Sequence, residues 1–413
     1  MTNPNRPNYN KVSNLIKEKT AAAVSNFCKR QEEEQELTPN ETVFFNGSDH
    51  FNALIDDINK ATTCIDLETF IFQRDALADR IVDALIHASQ RGVRIRLLVD
   101  GAGTPYWGGG YARKLERAGI QTRVFHPFPW QFWNWSRSVV KFPSILKGLY
   151  LFLTVNSRNH RKVCIIDHEI TYIGSANITI SHLPKKDGGD GWRDTTVRIT
   201  NLDTNTLEKA FESAWSQGSI KERLREIFKH IRKDPIIRLN YTRHRRRILF
   251  KNLLRKMKQC KNRIWITNAY FIPDNFLLRT LREAAKHNVD VRILLPKKSD
   301  VMVMPWASST FYYNLLKTGV RIFEYLPSNL HAKSLILDDW MLIGSSNLNH
   351  RSLLHDLEVD VNIRNPESKK KIVNQFLEDL KHSKEILFES WKENRPWFQR
   401  ILGRLSLYLK YWI

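Results

Sequence analysis

The chain repeats itself nearly from end to end. Such a duplication restricts it to two like units, or one unit with internal pseudo-symmetry, more firmly than local propensity could. CIDLETFIF from Cys64, the helical stretch DRIVDALIHASQRG and VRIRLLVDG from Val93 recur as RIWITNAYFI from Arg263, LLRTLREAAKHN and VRILLPKKS from Val291. Each set reads strand, helix, strand. KLERAGIQTRVF from Lys114 answers to NLLKTGVRIFEY from Asn314, and Gly119 matches Gly319, each ending a helical pattern. VRITNLDTNTLEKAFESAW from Val197 mirrors VNIRNPESKKKIVNQFLEDL from Val361. Alternating β-rich and helical runs predict an α/β fold of two similar halves, each a mixed β-sheet flanked by helices.

The 413 residues then divide into an N-terminal helical extension (1–38), a first half (39–220) with an aromatic insertion at about 127–156, a basic linker (221–250), a second half (251–392) and an amphipathic tail (393–413). The linker carries Arg243, Arg245, Arg246 and Arg247, which suit either a solvated basic face or an anion-binding patch.

The repeat also duplicates a set of polar residues. His160, Lys162 and Asp167 are followed by Gly174, Ser175 and Asn177; His331, Lys333 and Asp338 are followed by Gly344, Ser345 and Asn347. A strand alternates faces, so residues two apart share one face by geometry alone, and a single His-x-Lys pair means little. Two copies at matching places present imidazole and ammonium groups twice toward a shared cleft. Glycine permits close backbone approach, and the serine hydroxyl and asparagine amide can hydrogen-bond an anionic oxygen. Asp194 lies opposite Glu358 in the repeat, downstream of each asparagine, and these are candidate acceptors for the second ring nitrogen of each histidine. Asp167 and Asp338 at the strand ends suit catalysis or, more simply, hydrogen bonding at the turn. One extra residue between Asp167 and Gly174, relative to Asp338 and Gly344, reads as a longer turn. His87, His126, His168, His182, His350 and His355 lack a lysine at that spacing and read as surface or supporting residues.

H-x-K-x4-D followed by G-S-x-N, twice, resembles the phospholipase D superfamily across most of residues 40–390. The resemblance implies an active site between the halves in which one imidazole attacks phosphorus and the other protonates the leaving alcohol, with His160 as the expected nucleophile. Lys162, Lys333, Asn177 and Asn347 would neutralise the phosphoryl oxygens, so neither a metal nor a cofactor is expected. It also implies that Asp167 and Asp338 hold the turn.

Departures from the repeat bear on the substrate. Between Phe125 and His160 the first half alone carries Phe128, Trp130, Phe132, Trp133, Trp135, Phe142, Tyr150 and Phe152 among Arg137, Lys141 and Lys147, a composition suited either to a lipid-admitting lip or to added core. Trp107, Trp306, Phe311 and Tyr312 follow the second strand of each half and could widen that mouth. In the tail, Ile401, Leu405, Tyr408 and Trp412 fall at helical spacing among Arg400, Arg404 and Lys410, as in a membrane-surface helix or one closing the core.

A net charge of +22 favours polyanionic partners. The sequence shows no run of about 20 apolar residues and no apolar leader, so peripheral contact with the cytoplasmic side of an anionic phospholipid membrane is expected. Cys28, Cys64, Cys164 and Cys260 lack metal-ligand spacing and read as reduced thiols. Within the superfamily the chain looks most like bacterial cardiolipin synthases without transmembrane helices, which implies phosphatidylglycerol as donor and acceptor. The alternatives are a phospholipase D hydrolase releasing phosphatidic acid and, given the charge, a nuclease of the same superfamily. Nucleic acid is the less expected partner, and the oligomeric state stays open.

Overall fold

Fifteen strands in two sheets carry the fold of the computed structural model, which describes residues 39–216 and 235–389 with Trp391, Ile401 and Leu405. The first sheet contains β1 (Asn40–Phe44), β2 (Cys64–Thr69), β3 (Arg94–Asp100), β4 (Gln121–Phe125), β5 (Val163–Ile166), β6 (Ile170–Gly174) and β7 (Thr196–Thr200), in the order β1-β7-β6-β5-β2-β3-β4. The second contains β8 (Ile237–Leu239), β9 (Arg263–Thr267), β10 (Asp290–Pro296), β11 (Arg321–Tyr325), β12 (Ser334–Leu337), β13 (Trp340–Gly344), β14 (Val359–Ile363) and β15 (Ser383–Ile386), in the order β15-β11-β10-β9-β12-β13-β14-β8.

In each sheet three strands run parallel and a hairpin lies antiparallel beside them. Helices Ala76–Gln90 and Asn275–Lys286 make the first crossovers, capped by Asp75 and Asp274, whose carboxylates accept from the Ala78 and Leu277 N–H groups. Gly119 and Gly319 sit at φ +82° and +90° just past the next helices, the left-handed position where a side chain is strained.

The repeat begins earlier in the second half than its sequence suggests. Ile237–Leu239 pairs with β14 as β1 pairs with β7, and the helix Arg243–Gln259 that follows corresponds to Gly47–Lys60. The described part of the supposed linker is therefore the first strand and helix of the second unit. Its run of arginines masked the apolar stripe of Leu253 and Met257, which pack into the core. The proposed extension (1–38), the remainder of the linker and nearly all of the tail lie outside the described residues; Ile401 and Leu405, on the tail's predicted apolar face, are exposed.

Helices cover the outer face of each sheet. Phe51, Leu54, Ile81, Leu85 and Leu115 meet Ile65, Leu67 and Leu97 in the first half; Leu253, Leu277, Leu281 and Leu315 meet Ile264, Ile266 and Ile293 in the second. The inner faces meet each other: Val163, Ile165, Ile173, Val197 and Ile199 form one cluster with Trp265, Ile336, Ile343, Val359 and Val361. Burying each such side chain contributes about 1.5–3 kcal/mol, so the shared cluster fixes how the halves face each other. The Arg193–Asp379 ion pair (2.9 Å) and Glu41, which accepts from the Arg364 and Asn365 N–H groups, add polar ties.

Two expectations about the mouth are corrected. Trp107 and Tyr312 are buried in the two outer cores, Trp107 against Phe72 and Tyr312 against Trp391. Phe311 and Trp306 are half-buried, Phe311 against the cluster of Ile272, Met304 and Ala307. Among the described residues no helix is long and apolar enough to cross a membrane.

Candidate active site

His160 and Lys162 lie just before β5, and His331 and Lys333 just before β12, so each pair leads into a hairpin whose apolar residues are locked in the shared core. Extended backbone puts residues two apart on one face, and each lysine ammonium folds back on its own histidine's carbonyl: Lys162 to His160 at 2.7 Å and Lys333 to His331 at 2.6 Å.

The two segments are stitched to the opposite half. The His160 N–H donates to the Leu357 carbonyl (3.0 Å) and Leu357 N–H to the Arg158 carbonyl (2.8 Å). Arg193 N–H donates to the Asn329 carbonyl and His331 N–H to the Arg193 carbonyl, both at 2.9 Å. Each candidate carboxylate therefore meets the histidine of the other half: His160 Nδ1 lies 3.0 and 3.1 Å from the Glu358 oxygens, and His331 Nδ1 lies 2.8 Å from Asp194 Oδ1. An ionised carboxylate accepts, so Asp194, and Glu358 in its charged form, place the proton on Nδ1 and leave Nε2 to face a substrate.

The serines serve these carboxylates, which corrects their expected place on the phosphate. Ser175 Oγ donates to Asp194 at 2.8 Å and accepts from Thr195 N–H; Ser345 Oγ donates to Glu358 and accepts from Val359 N–H. Gly174 and Gly344 precede them because a Cβ would lie 2.6 Å from Thr196 Cα or 2.6 Å from Asp360 Cα on the neighbouring strand. Asn177 and Asn347 accept through Oδ1 from the Ile71 and Tyr270 N–H groups, which leaves the amide NH2 as the end able to donate.

Asp167 and Asp338 stand at the opposite ends of β5 and β12 from the histidines. Asp167, at φ +54°, accepts from Thr62, Thr63 and Cys64 N–H groups, and Asp338, at φ +49°, from Lys261, Asn262 and Arg263. These donors hold the carboxyl of Asp167 down at about 2 against partial burial, and that of Asp338 below its usual value. They pin a hairpin turn to the start of β2 or β9, with their carboxylates spent on those backbone donors rather than on the catalytic role expected for them. The extra residue is in the turn: β6 starts at Ile170 after Ile166, whereas β13 starts at Trp340 after Leu337.

Of the histidines expected at the surface or in a supporting place, His182 proves to be a supporting one. Its ring is buried, Nδ1 lies 2.5 Å from Asp194 Oδ2, and Nε2 accepts from Asn177 N–H at 3.1 Å. Asp194 is thus held by two imidazoles and a serine. The second half has Ser352 five residues after Asn347, where the first has His182 five after Asn177, so the repeat offered no duplicate to flag it.

The electrostatics of the half-sites differ. Burial, with Lys162 and Lys333 nearby, lowers the His160 pKa well below its usual value; burial and Lys333 bring His331 down to about 4. Burial also depresses Lys162 to about 7 and Lys333 to about 8, against the pull of Glu358 and Asp194. Glu358 is pushed up to about 7 by burial, whereas Asp194, despite its burial, is held well below the carboxylate range by His182 and His331. The carboxylate behind His331 is a committed anion, and the one behind His160 is not.

The aromatic insertion divides between the two readings of its composition. Val139, Val140 and Leu151 pack with Leu98, Phe125, Phe211 and Trp215, and buried Asn134 pins the segment by accepting from Gly108 N–H and donating to the Pro105 carbonyl. Phe128, Trp135 and Tyr150 are half-buried, the latter two against that cluster, whereas Trp130, Phe132, Trp133 and Phe142 are exposed, and so along helix Ser144–Leu153 are Ile145 (88%), Leu146, Leu149, Phe152 (66%) and Leu153.

Comparison with known proteins agrees with this arrangement. The family model described as "Cardiolipin synthase, PLD-like domain" matches residues 54–215 and 253–380. A cardiolipin synthase of Geobacillus sp. (strain WCH70) is 31% identical over 372 residues, covering 88% of this chain and 70% of the relative. One from Halalkalibacterium halodurans is 30% identical over 374 residues, covering 89% and 71%. Among solved structures, phosphatidylserine synthase of Haemophilus influenzae superposes with a TM-score of 0.65 at 13% identity over 92% of this chain and 97% of the other, a likeness of fold. The duplicated fold, the paired half-sites and the family match agree: the chain is an enzyme of the phospholipase D superfamily and belongs to the cardiolipin synthase, PLD-like domain family.

Proposed function

We propose that the protein is a cardiolipin synthase acting at the surface of an anionic, phosphatidylglycerol-containing membrane on its cytoplasmic side. The observation that carries this reading is the crossed pairing of each histidine with the other half's carboxylate, together with the electrostatic influence of Lys162, Lys333 and His331 on His160, which suits two half-sites acting on one phosphate. His160 Nε2 forms a bond to the phosphorus of one phosphatidylglycerol as the bond from phosphorus to the headgroup oxygen breaks, and His331 gives that oxygen its proton. Glycerol leaves. The terminal hydroxyl of a second phosphatidylglycerol then attacks the phosphohistidine, its proton passing to His331 as the N–P bond breaks, and cardiolipin is released.

The assignment of roles follows from the asymmetry of the carboxylates. A nucleophile must be neutral, and His160 is held neutral by burial and neighbouring lysines. An acid must hold a proton in the complex: the ionised Asp194 behind His331 already favours its charged form, and a bound phosphate's own charge adds to that pull. Lys162, Lys333 and the amides of Asn177 and Asn347 surround the phosphoryl oxygens. The exposed apolar insertion supplies a face that suits lipid rather than nucleic acid, whose binding is driven by phosphates and cations.

Purified protein incubated with phosphatidylglycerol vesicles should yield cardiolipin and free glycerol in equal amounts. Phosphatidic acid as the main product would make it a hydrolase, and cleavage of DNA or RNA without lipid turnover would make it a nuclease.

A further inference from the structure

The two sides of the cleft are lined differently. On the His160 side stands Phe70, half-buried, its ring edge-on to the imidazole at 5.1 Å and 5.3 Å from Lys162 Nζ. On the His331 side Tyr270 takes the corresponding place, 6.4 Å from the imidazole and 6.0 Å from Lys333 Nζ. Its backbone is fixed by Asn347, and its hydroxyl donates to Asp300 Oδ2 at 2.6 Å. Asp300 comes from the loop after β10 and also accepts from Ser299 Oγ (3.1 Å) and Asn329 Nδ2 (3.4 Å), the latter two residues before His331. The residue is accessible from solvent, and although desolvation raises its pKa, His331, Tyr270 and Lys333 hold the carboxyl below its usual value. Trp192, half-buried at 5.7 Å from the His331 ring, closes this side.

Resting on the assignment of His331 as the acid and base for the alcohol, we propose that Asp300 and Tyr270 form the subsite for the polyol headgroup, with Asp300 accepting a hydrogen bond from the hydroxyl adjacent to the one that reacts. An in-line displacement puts the leaving and entering alcohols on the side of phosphorus opposite the nucleophile, which is the side of His331, Tyr270 and Asp300. An ionised carboxylate only accepts hydrogen bonds, so it suits a ligand rich in hydroxyl donors and has nothing to offer an alkyl group. The lipid tails, which need no polar partner, fall toward Phe70 and the apolar insertion, both belonging to the first half.

The test offers the full-length enzyme phosphatidylglycerol vesicles with 1,2-propanediol and 1-propanol at equal concentration. These acceptors differ by the one vicinal hydroxyl, and the ratio of the two phosphatidyl alcohols is read by mass spectrometry within one reaction, so it does not depend on how much enzyme is folded. A site built around a hydroxyl discriminates strongly against its absence. The wild type should favour the diol by about tenfold or more, Asp300→Ala should bring the ratio close to one, and Tyr270→Phe should shift it the same way. If the wild type makes both products and Asp300→Ala keeps the diol preference, the subsite is refuted alone. If the wild type makes cardiolipin but shows no preference for the diol, the subsite is likewise refuted alone; if it makes neither phosphatidyl alcohol nor cardiolipin, the transferase reading falls and the subsite with it.

Discussion

Each half-site is assembled from residues that the chain does not hold close together: a histidine and a lysine two apart, and a carboxylate from the other half. Both lysines are depressed by burial, Lys162 to about 7 and Lys333 to about 8, so in the free enzyme they lose their charge as pH rises through that range. A bound phosphodiester anion favours the ammonium forms and raises both values. The alkaline limb of kcat/KM, which reports the free enzyme, should therefore begin near pH 7–8, and that of kcat should lie at higher pH. Initial rates on vesicles across pH 6–10 check this; a kcat/KM profile flat to pH 9, or limbs in the reverse order, would contradict it. At this scale the sequence was most legible where the repeat wrote a residue twice. The histidines, lysines, asparagines and both carboxylates were found that way. The crossing of the carboxylates was not, because it arises from the backbone pairing of Leu357 with Asn159 and of Arg193 with Leu330 across the halves. His182 was not told apart from the other surface or supporting histidines because its place in the second half is taken by Ser352.

Helices and strands were legible where apolar spacing was uninterrupted, as in Ala76–Gln90, and illegible where charge covered it, as in Arg243–Gln259. Composition misled in the opposite direction at Trp107 and Tyr312, since an aromatic near a cleft and an aromatic in a core look alike in one dimension. The helix Ser144–Leu153 carries the clearest functional consequence at this scale. Ile145, Leu149 and Phe152 are exposed on an element held in place by buried Leu151 and by Lys147, which donates to the Trp135 carbonyl, and a contiguous apolar face of that kind marks an interaction surface. Leaving water for the bilayer interface gains about 2 kcal/mol per large side chain, or roughly thirtyfold in binding. Leu149→Glu and Phe152→Glu should each lower partition onto phosphatidylglycerol vesicles by about that factor, with turnover of short-chain monomeric phosphatidylglycerol largely kept. Co-sedimentation and a monomer assay measure the two. Unchanged vesicle binding would show that this face meets something else.

At the scale of the whole molecule, the two sheets share one core through their inner faces, and the segments that carry His160 and His331 are each joined by backbone hydrogen bonds to the other half. The duplication predicted two like α/β halves; only the tertiary arrangement shows that neither half is complete, since each histidine depends on the other half for its orienting acid. The net charge of +22 suits the anionic bilayer proposed as its partner. In the proposed mechanism the two half-sites act on one phosphorus atom, with His160 as its covalent carrier. Enzyme mixed with phosphatidylglycerol, quenched in alkaline denaturant to preserve the acid-labile N–P bond and digested, can be mapped by mass spectrometry. A phosphatidyl adduct on the peptide containing His160, and its loss in His160→Ala, is the predicted result; an adduct on His331 instead, or cardiolipin formed at an undiminished rate by His160→Ala, would contradict the account.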